Sequence, residues 1–300
     1  MITKITFILS LSFWVCCFGQ TLNKVPERTD DNVIVASYNI KWIGQTKHDF
    51  KKLAKVIANF DVCGIIEVKK ENAIAELTRQ LEILTNKDWG YTYGFRTTNP
   101  AGNYYEAYAA IYRRDRVQLG DGIISNICDP KEAYRNDPYV VSFKRGNFDF
   151  AIFLVHTRWS NDDDGTREKE VQEIAAQVEF FQKVTKERDL LIMGDFNYPG
   201  TSTVMKEMAN DIAFVQCDLD PLTTFKKDCS AYANAYDHIY VSKKKTAGNK
   251  EYIEGSAQAF DVTHYIYGNN STSSMKKSKS DLSDHLPVFA VFKTNLRDDD

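Results

Sequence analysis

The stretch Leu190–Gly200 reads LLIMGDFNYPG: an apolar run and a glycine, then Asp195 and Asn197 ahead of a Pro-Gly turn. So apolar a run, closed so abruptly, reads as a buried strand. A buried strand that delivers a carboxylate at its end needs a cation or a partner to meet that charge. Asp195 and Asn197 lie two apart and share one face of an extended chain. Outward from this stretch the same ending recurs. Leu282–Pro287, LSDHLP, sets Asp284 beside His285. Asn39 follows VIVASY, Glu67 follows CGII, His156 follows FAIFLV, and Asp237-His238 precedes the apolar IYV. Polar groups at the ends of several strands are how an α/β fold assembles a site on one rim.

Between these endings, strand and helix signals alternate. Strands are expected at Val33–Tyr38, Asp61–Ile66, Tyr108–Tyr112, Phe148–Val155, Leu190–Met193, His238–Val241 and Val288–Phe292. Helical spacing joins Phe50, Leu53, Val56, Ile57 and Phe60, then Ile74, Leu77, Leu81 and Leu84, then Val171, Ile174, Val178 and Phe181. Several neighbouring strands have no helix between them, which points to a mixed sheet or two packed sheets with helices outside. Thr246–Gly255 and Tyr267–Asp281 are polar and read as loops. No repeat or long linker divides the chain, so residues 20–300 are expected to form a single domain.

The first residues, MITKITFILSLSFWVCCFGQ, have one lysine, a short apolar core and small residues around Cys17–Gly19. That is the outline of a secretory signal peptide over residues 1–19, giving an extracellular or periplasmic protein with no stable membrane association. Export permits disulfides. Of the remaining cysteines, Cys217 and Cys229 flank a polar loop and are the expected bridge; Cys63 heads an apolar strand and reads as a small hydrophobe. Cys128 is the fourth, and spacing does not decide the pairing. The formal net charge is −3 over 300 residues, which excludes a protein clamped to nucleic acid by global charge but not one with a local basic face.

The chemistry-bearing residues are oxygen donors and histidines. Asp195, Asn197, Glu67 and Asp284 are oxygen ligands suited to a hard cation such as magnesium, manganese or calcium. Zinc is disfavoured, because no Cys/His cluster has its spacing. Taken singly, Asp195 reads equally well as a cap or turn residue and Glu67 reads better as one; their joint recurrence carries the argument. His156 and His285 can lend or take a proton near neutral pH, with Glu106 and Asp237 available to orient them. His238, one residue after Asp237, should point to the opposite face. A Gly-x-Ser-x-Gly elbow, a phosphate loop ending in Lys-Ser/Thr and a His-Glu-x-x-His motif are all absent. Asp162-Asp163-Asp164 reads as a solvated turn.

In order, these segments resemble the endonuclease/exonuclease/phosphatase superfamily, and within it the deoxyribonuclease I branch, from about Val33 to Phe292. ASYNIKWIG is similar to its opening strand and places the family asparagine at Asn39; IIEV places the metal-binding glutamate at Glu67. NYYEAYAAIYRRDRV places a phosphate-contacting tyrosine at Tyr104 and a histidine-orienting glutamate at Glu106. YRNDPYVVSF gives a DNA-contacting arginine at Arg135, although the family usually reads Arg-Glu-Pro there. FLVHTRWS, GDFN, AYDHIYV and SDHLPV supply His156, Asp195 and Asn197, Asp237, and Asp284 with His285. The resemblance implies an α/β/β/α four-layer sandwich of two mixed sheets with helices on both outer faces. It also implies phosphoester hydrolysis with a divalent metal (Mg2+ or Mn2+) held by Glu67 with Asn39, Asp284 and Asp195.

On that reading the chain is a monomeric, secreted endonuclease acting on the DNA backbone with little sequence choice. Asn197, Arg135 and Tyr104 would hold the phosphates, and His156, His285, Asp195, Glu106 and Asp237 would carry catalysis. Which histidine is acid and which base stays open. The same framework serves a sphingomyelinase-like or inositol-phosphate enzyme, and a non-catalytic binding relative is the third reading. The family's vertebrate deoxyribonucleases carry a cysteine soon after GDFN where this chain has Tyr198-Pro199-Gly200, so their disulfides do not transfer.

Overall fold

The computed structural model describes residues 24–94, 97–98, 105–127, 133–159, 165–248 and 250–297. The expected signal peptide, Tyr104, Cys128, Asp162–Asp164 and Asp298–Asp300 lie outside the described residues. Two mixed sheets pack face to face. In the first, β1 (Asn32–Ile43) and β2 (Val62–Val68) run parallel. β13 (Val288–Lys293) and β5 (Tyr105–Arg113) flank them antiparallel, with β12 (Gln258–Ala259), β3 (Trp89–Tyr93) and β4 (Thr97–Thr98) beyond. In the second, β8 (Phe148–His156) and β9 (Leu190–Asp195) form the parallel pair. β7 (Tyr139–Arg145) and β6 (Gln118–Asn126) extend it on one side, β11 (Asp237–Ser242) and β10 (Phe214–Gln216) on the other.

Helices cover both outer faces, which is the expected four-layer sandwich: α1 (Phe50–Ile57) and α2 (Glu71–Thr85) on the first sheet, α3 (Thr166–Thr185) and α4 (Thr203–Asp211) on the second. Strand β8 shows why this sequence makes four layers. Phe148, Phe150, Ile152 and Leu154 point into the core between the sheets, whereas Ala151, Phe153 and Val155 meet Val171, Ile174, Val178 and Phe181 of α3. An alternating strand with both faces apolar can be buried only between a sheet and a helix layer. Each such side chain, fully buried, contributes about 1.5–3 kcal/mol. Gly64 of β2 lets the sheets approach, since a Cβ there would lie 2.4 Å from the Leu154 side chain.

Strand direction places the site. The C-terminal ends of β1, β2, β8 and β9 reach one rim, bringing Asn39, Glu67, His156 and Asp195 there. Strands β5, β11 and β13 run the other way, so the same rim meets their beginnings: Glu106, Asp237, and Asp284-His285 just ahead of β13.

Two expectations are corrected. Cys217 and Cys229 are not bridged; with Cys63 they are buried free thiols among the described residues. Each backbone is held separately, Cys217 N donating to Ile239 O and Cys229 closing a turn on Lys226 O at positive φ. Tyr267–Asp281 is not a loop. Short α5 (Val262–Tyr267) leads through Gly268 to α6 (Thr272–Asp281), capped by Ser271, whose hydroxyl accepts from Ser274 N. Its buried side is small, Ser274, Met275 and Ser278, so it shows almost no apolar periodicity. Among the described residues no helix is long and apolar enough to cross a membrane.

Candidate active site

At the rim, three adjacent strands set their polar residues in one row. His156 of β8 lies opposite Asp195 of β9, and Asp195 lies opposite Asp237 of β11. Two carboxylates side by side in a buried row repel each other, and His285 relieves this. Its Nδ1 bonds Asp237 Oδ2 at 2.7 Å while its Nε2 faces Asp195 Oδ2 at 3.6 Å. His156 mirrors the arrangement: Nδ1 bonds Glu106 Oε1, and Nε2 lies 3.8 Å from the same Asp195 oxygen and 4.0 Å from Glu67 Oε1. With Nδ1 committed to a carboxylate, each neutral ring carries its proton on Nδ1 and turns the Nε2 lone pair towards the site.

Asn39 ties the two sheets together, its Nδ2 donating to Glu67 Oε1 at 2.9 Å and to Asp195 Oδ2 at 3.0 Å. Asn197 donates its backbone N–H to Asp195 Oδ1 at 2.9 Å and its Nδ2 to Thr157 O at 2.8 Å. Asp284 is paired with Lys41 Nζ at 2.5 Å. A cavity of about 510 Å³ opens over this floor, walled by Lys41, Trp42, Arg135, Asn136, Arg158 and Trp159. Thus Asn39, Glu67, Glu106, His156, Asp195, Asn197, Asp237, Asp284 and His285 converge, and Arg135 reaches the same cavity.

The backbone is bent to achieve this. Trp42, Glu67 and Asn197 sit at φ of 47°, 62° and 53°, a left-handed region that costs side-chain-bearing residues energy and collects at functional sites. The β1–β2 register slips between Asn39 and Ile43, and the β2–β5 register between Ile65 and Val68. Gly194, at φ 148°, precedes Asp195, and a Cβ there would lie 2.0 Å from Val155 O. Only glycine brings the carboxylate out at this point.

The electrostatics follow from burial and crowding. Burial pulls the His156 and His285 imidazoliums down, but the facing carboxylates win and hold both up to about 10. Burial raises the Asp195 carboxyl to about 6, with Asp237 adding to the rise and the histidines opposing it. Burial also raises Asp284, yet His285 and Lys41 outweigh it and leave that carboxyl below its ordinary range. Glu67, Asp195 and Asp284 line the cavity with His156 and His285, and Asn39 Oδ1 is buried with no protein partner among the described residues. A hard divalent cation fits such a donor set.

Sequence reasoning missed the supports. Glu170, wholly buried on α3, accepts the backbone N–H of Arg135 at 2.7 Å and that of Arg158, so it fixes two walls of the cavity. Its place four residues before Ile174 on the buried face of α3 was the available signal. Thr223 donates its hydroxyl to Asp237 Oδ2 at 2.6 Å, and Ser283 donates to Asn39 O at 2.7 Å. Lys69 is buried behind the Glu106–His156 pair, its Nζ 3.9 Å from Glu106 Oε2.

His238 does face away, into a second buried network. Nδ1 meets Asp218 Oδ1 at 3.0 Å, and Nε2 meets the carbonyls of Tyr198 and Ala235, each at 3.0 Å. Carbonyls only accept, so Nε2 must carry a proton; with Nδ1 against a carboxylate the ring is an imidazolium. Asp218, Asp220 and His238 lie close enough to chelate a metal, but the ring itself supplies the cation.

Residues 36–285 match the sequence pattern of the endonuclease/exonuclease/phosphatase family. The chain belongs to that family and is a hydrolase that cleaves phosphoesters. It is 25% identical over 286 residues to a deoxyribonuclease of Thioalkalivibrio sp. (strain K90mix), an alignment covering 92% of this chain and 75% of the relative. To rat deoxyribonuclease gamma it is 24% identical over 272 residues, covering 85% and 82%. Among solved structures, an endonuclease/exonuclease/phosphatase family protein from Bacteroides thetaiotaomicron superposes with a TM-score of 0.60 at 14% identity, covering 88% of this chain and 96% of that one.

Proposed function

We propose that the protein is an exported, divalent-metal-dependent endodeoxyribonuclease with little sequence preference. The observation that carries this reading is the convergence of two histidine–carboxylate pairs on one oxygen, Asp195 Oδ2, beside the Asn39-linked Glu67. A phosphodiester resists hydrolysis because its negative charge repels nucleophiles, so a catalyst must neutralise it and place a water in line. Glu67, Asn39, Asp284 and Asp195 would hold the cation, which supplies charge against the phosphate oxygens and eases the crowding that keeps both histidines protonated.

Asp195 lies between the two Nε2 atoms, placed to orient the attacking water. One histidine takes a proton through Nε2 while the other gives one to the leaving oxygen; Glu106 and Asp237 keep both rings turned for that exchange. Arg135, Arg158, Lys41 and Asn197 line the cavity and would grip phosphates, which gives affinity without base readout. The DNA assignment draws on the relatives named deoxyribonuclease, which cover most of their length and of this chain. Export draws on the signal-peptide outline of residues 1–19.

Supercoiled plasmid incubated with protein and magnesium tests the reading. Nicking that chelator abolishes and magnesium restores is the expected result. Intact plasmid alongside hydrolysis of choline phospholipid or inositol phosphates would move the protein to the lipid-directed or inositol-directed branch of its family. No turnover of any phosphoester would leave a binding relative.

A further inference from the structure

We infer that Trp42 and Trp159 are base-stacking walls that make the site prefer unpaired, single-stranded nucleic acid over duplex. This deepens the nuclease reading above and rests on it.

Trp89 shows what a tryptophan does in this fold when it serves packing: it is buried, and its Nε1 donates to Thr85 Oγ1. Trp42 and Trp159 do the opposite. They are 36% and 59% exposed, and both line the cavity over Asp195 and His285. They come from different sheets, Trp42 from the bulged end of β1 and Trp159 from the segment leaving β8. The other large exposed apolar residues, among them Ile83, Leu84, Phe180 and Val184, are not part of this cavity.

Trp42 is also held in place. Its left-handed backbone closes a turn in which Gln45 N and Thr46 N donate to its carbonyl, while its own N–H reaches Glu67 Oε2 at 3.3 Å. Lys41 and Lys69 set their ammonium groups 5.8 and 6.0 Å from its ring centre, and Arg158 adjoins Trp159. Exposed aromatic rings interleaved with cations, beside a place for a phosphate, are the parts of a single-strand groove. Stacking joins an aromatic ring to the flat face of a nucleobase. In a duplex those base faces are covered by their neighbours and only the edges are offered, so the rings can engage only bases that have left the stack. Stacking of this kind is worth roughly fivefold to a hundredfold in binding per base.

The test compares kcat/KM of the full-length protein on a short oligodeoxynucleotide as single strand and as duplex, for wild type, Trp42→Leu, Trp159→Leu and the rescue variants Trp42→Phe and Trp159→Phe. A second arm measures quenching of tryptophan fluorescence by the single strand, and by the same strand built with abasic sites, in chelator. The wild type is expected to favour the single strand, each leucine variant to lose roughly tenfold of that selectivity, and each phenylalanine variant to recover most of it. Quenching should need bases and disappear in the double leucine variant. A wild type that favours duplex, or a selectivity ratio unmoved in both leucine variants, overturns the inference while leaving the nuclease reading intact. If no DNA is cut, the nuclease reading fails by itself. Base-dependent quenching would then still support stacking, and its absence would refute that too.

Discussion

Raising the pH through about 9 should remove one specific support of this fold, the His238–Asp218 pair. Burial lowers the His238 imidazolium, but Asp218 and Asp220 overcome it and the ring is held up to about 9. Groups facing it are Asp218 at 3.0 Å, Asp220 at 3.7 Å, the Gln216 amide, two carbonyls and the rings of Phe196 and Tyr240. A pKa raised from about 6.5 unfolded to about 9 folded is a gain of about 2.5 units, or about 3 kcal/mol at about 1.4 kcal/mol each. Because the folded value is the higher, that stability is complete below about pH 6.5 and disappears as pH climbs through 9. Urea unfolding in chelator at about pH 6 and about pH 10 measures it. The comparison is the double variant Asp218→Asn, His238→Gln, which keeps hydrogen-bonding groups in both places without charge. Removing the histidine alone would strand a buried carboxylate, at a cost of about 3–5 kcal/mol. The wild type should lose about 3 kcal/mol more than the double variant across the window. Parallel losses would refute the imidazolium assignment.

Glu106→Gln and Asp237→Asn should each lower kcat on the order of 10³–10⁴-fold, because an amide no longer holds the histidine's tautomer or its charge; activity near wild type in either removes that residue from the mechanism. Glu170→Ala should cost about 1–3 kcal/mol by stranding the Arg135 and Arg158 N–H groups, and should raise KM more than it lowers kcat; an unchanged KM would show that those walls do not meet substrate. Gly194→Ala, with its Cβ driven into Val155 O, should destabilise by more than about 3 kcal/mol; a denaturation midpoint at the wild-type value would contradict the backbone described.

The rim was legible because it obeys two short-range rules. Apolar alternation marks a strand, and a polar residue breaking it marks the strand's end. Glu67, His156 and Asp195 close their strands and Asn39 stands where the register of β1 slips, whereas Glu106, Asp237 and His285 open or precede theirs. Once β1–β2 and β8–β9 are parallel and the flanking strands antiparallel, closers and openers must meet on one side. The four layers came from the family resemblance, since the residues alone left a mixed sheet or two packed sheets open; β8, apolar on both faces, shows in the structure why a sheet and a helix layer are both needed.

What stayed hidden depends on a partner far away in the chain. The helical spacing of Glu170 tells that it is buried but not that it caps two loops, and nothing near Thr223 announces Asp237; both are polar residues whose reason lies across the fold. Helix α6 hid because its buried face is two serines around the single apolar Met275, too little for a periodic apolar signal. His238 is the instructive case. The period of two correctly turns it away from the catalytic row, but facing away from one site is not facing solvent. In a four-layer sandwich the far side of a sheet is another interior, and a polar residue sent there must bring its own partners. Asp218, Gln216 and two carbonyls are those partners, and they join the chain after Asn197 to the strand that begins at Asp237. The two faces of β11 are therefore one device: Asp237 orients a histidine on the inner face, and His238 anchors that strand from the outer.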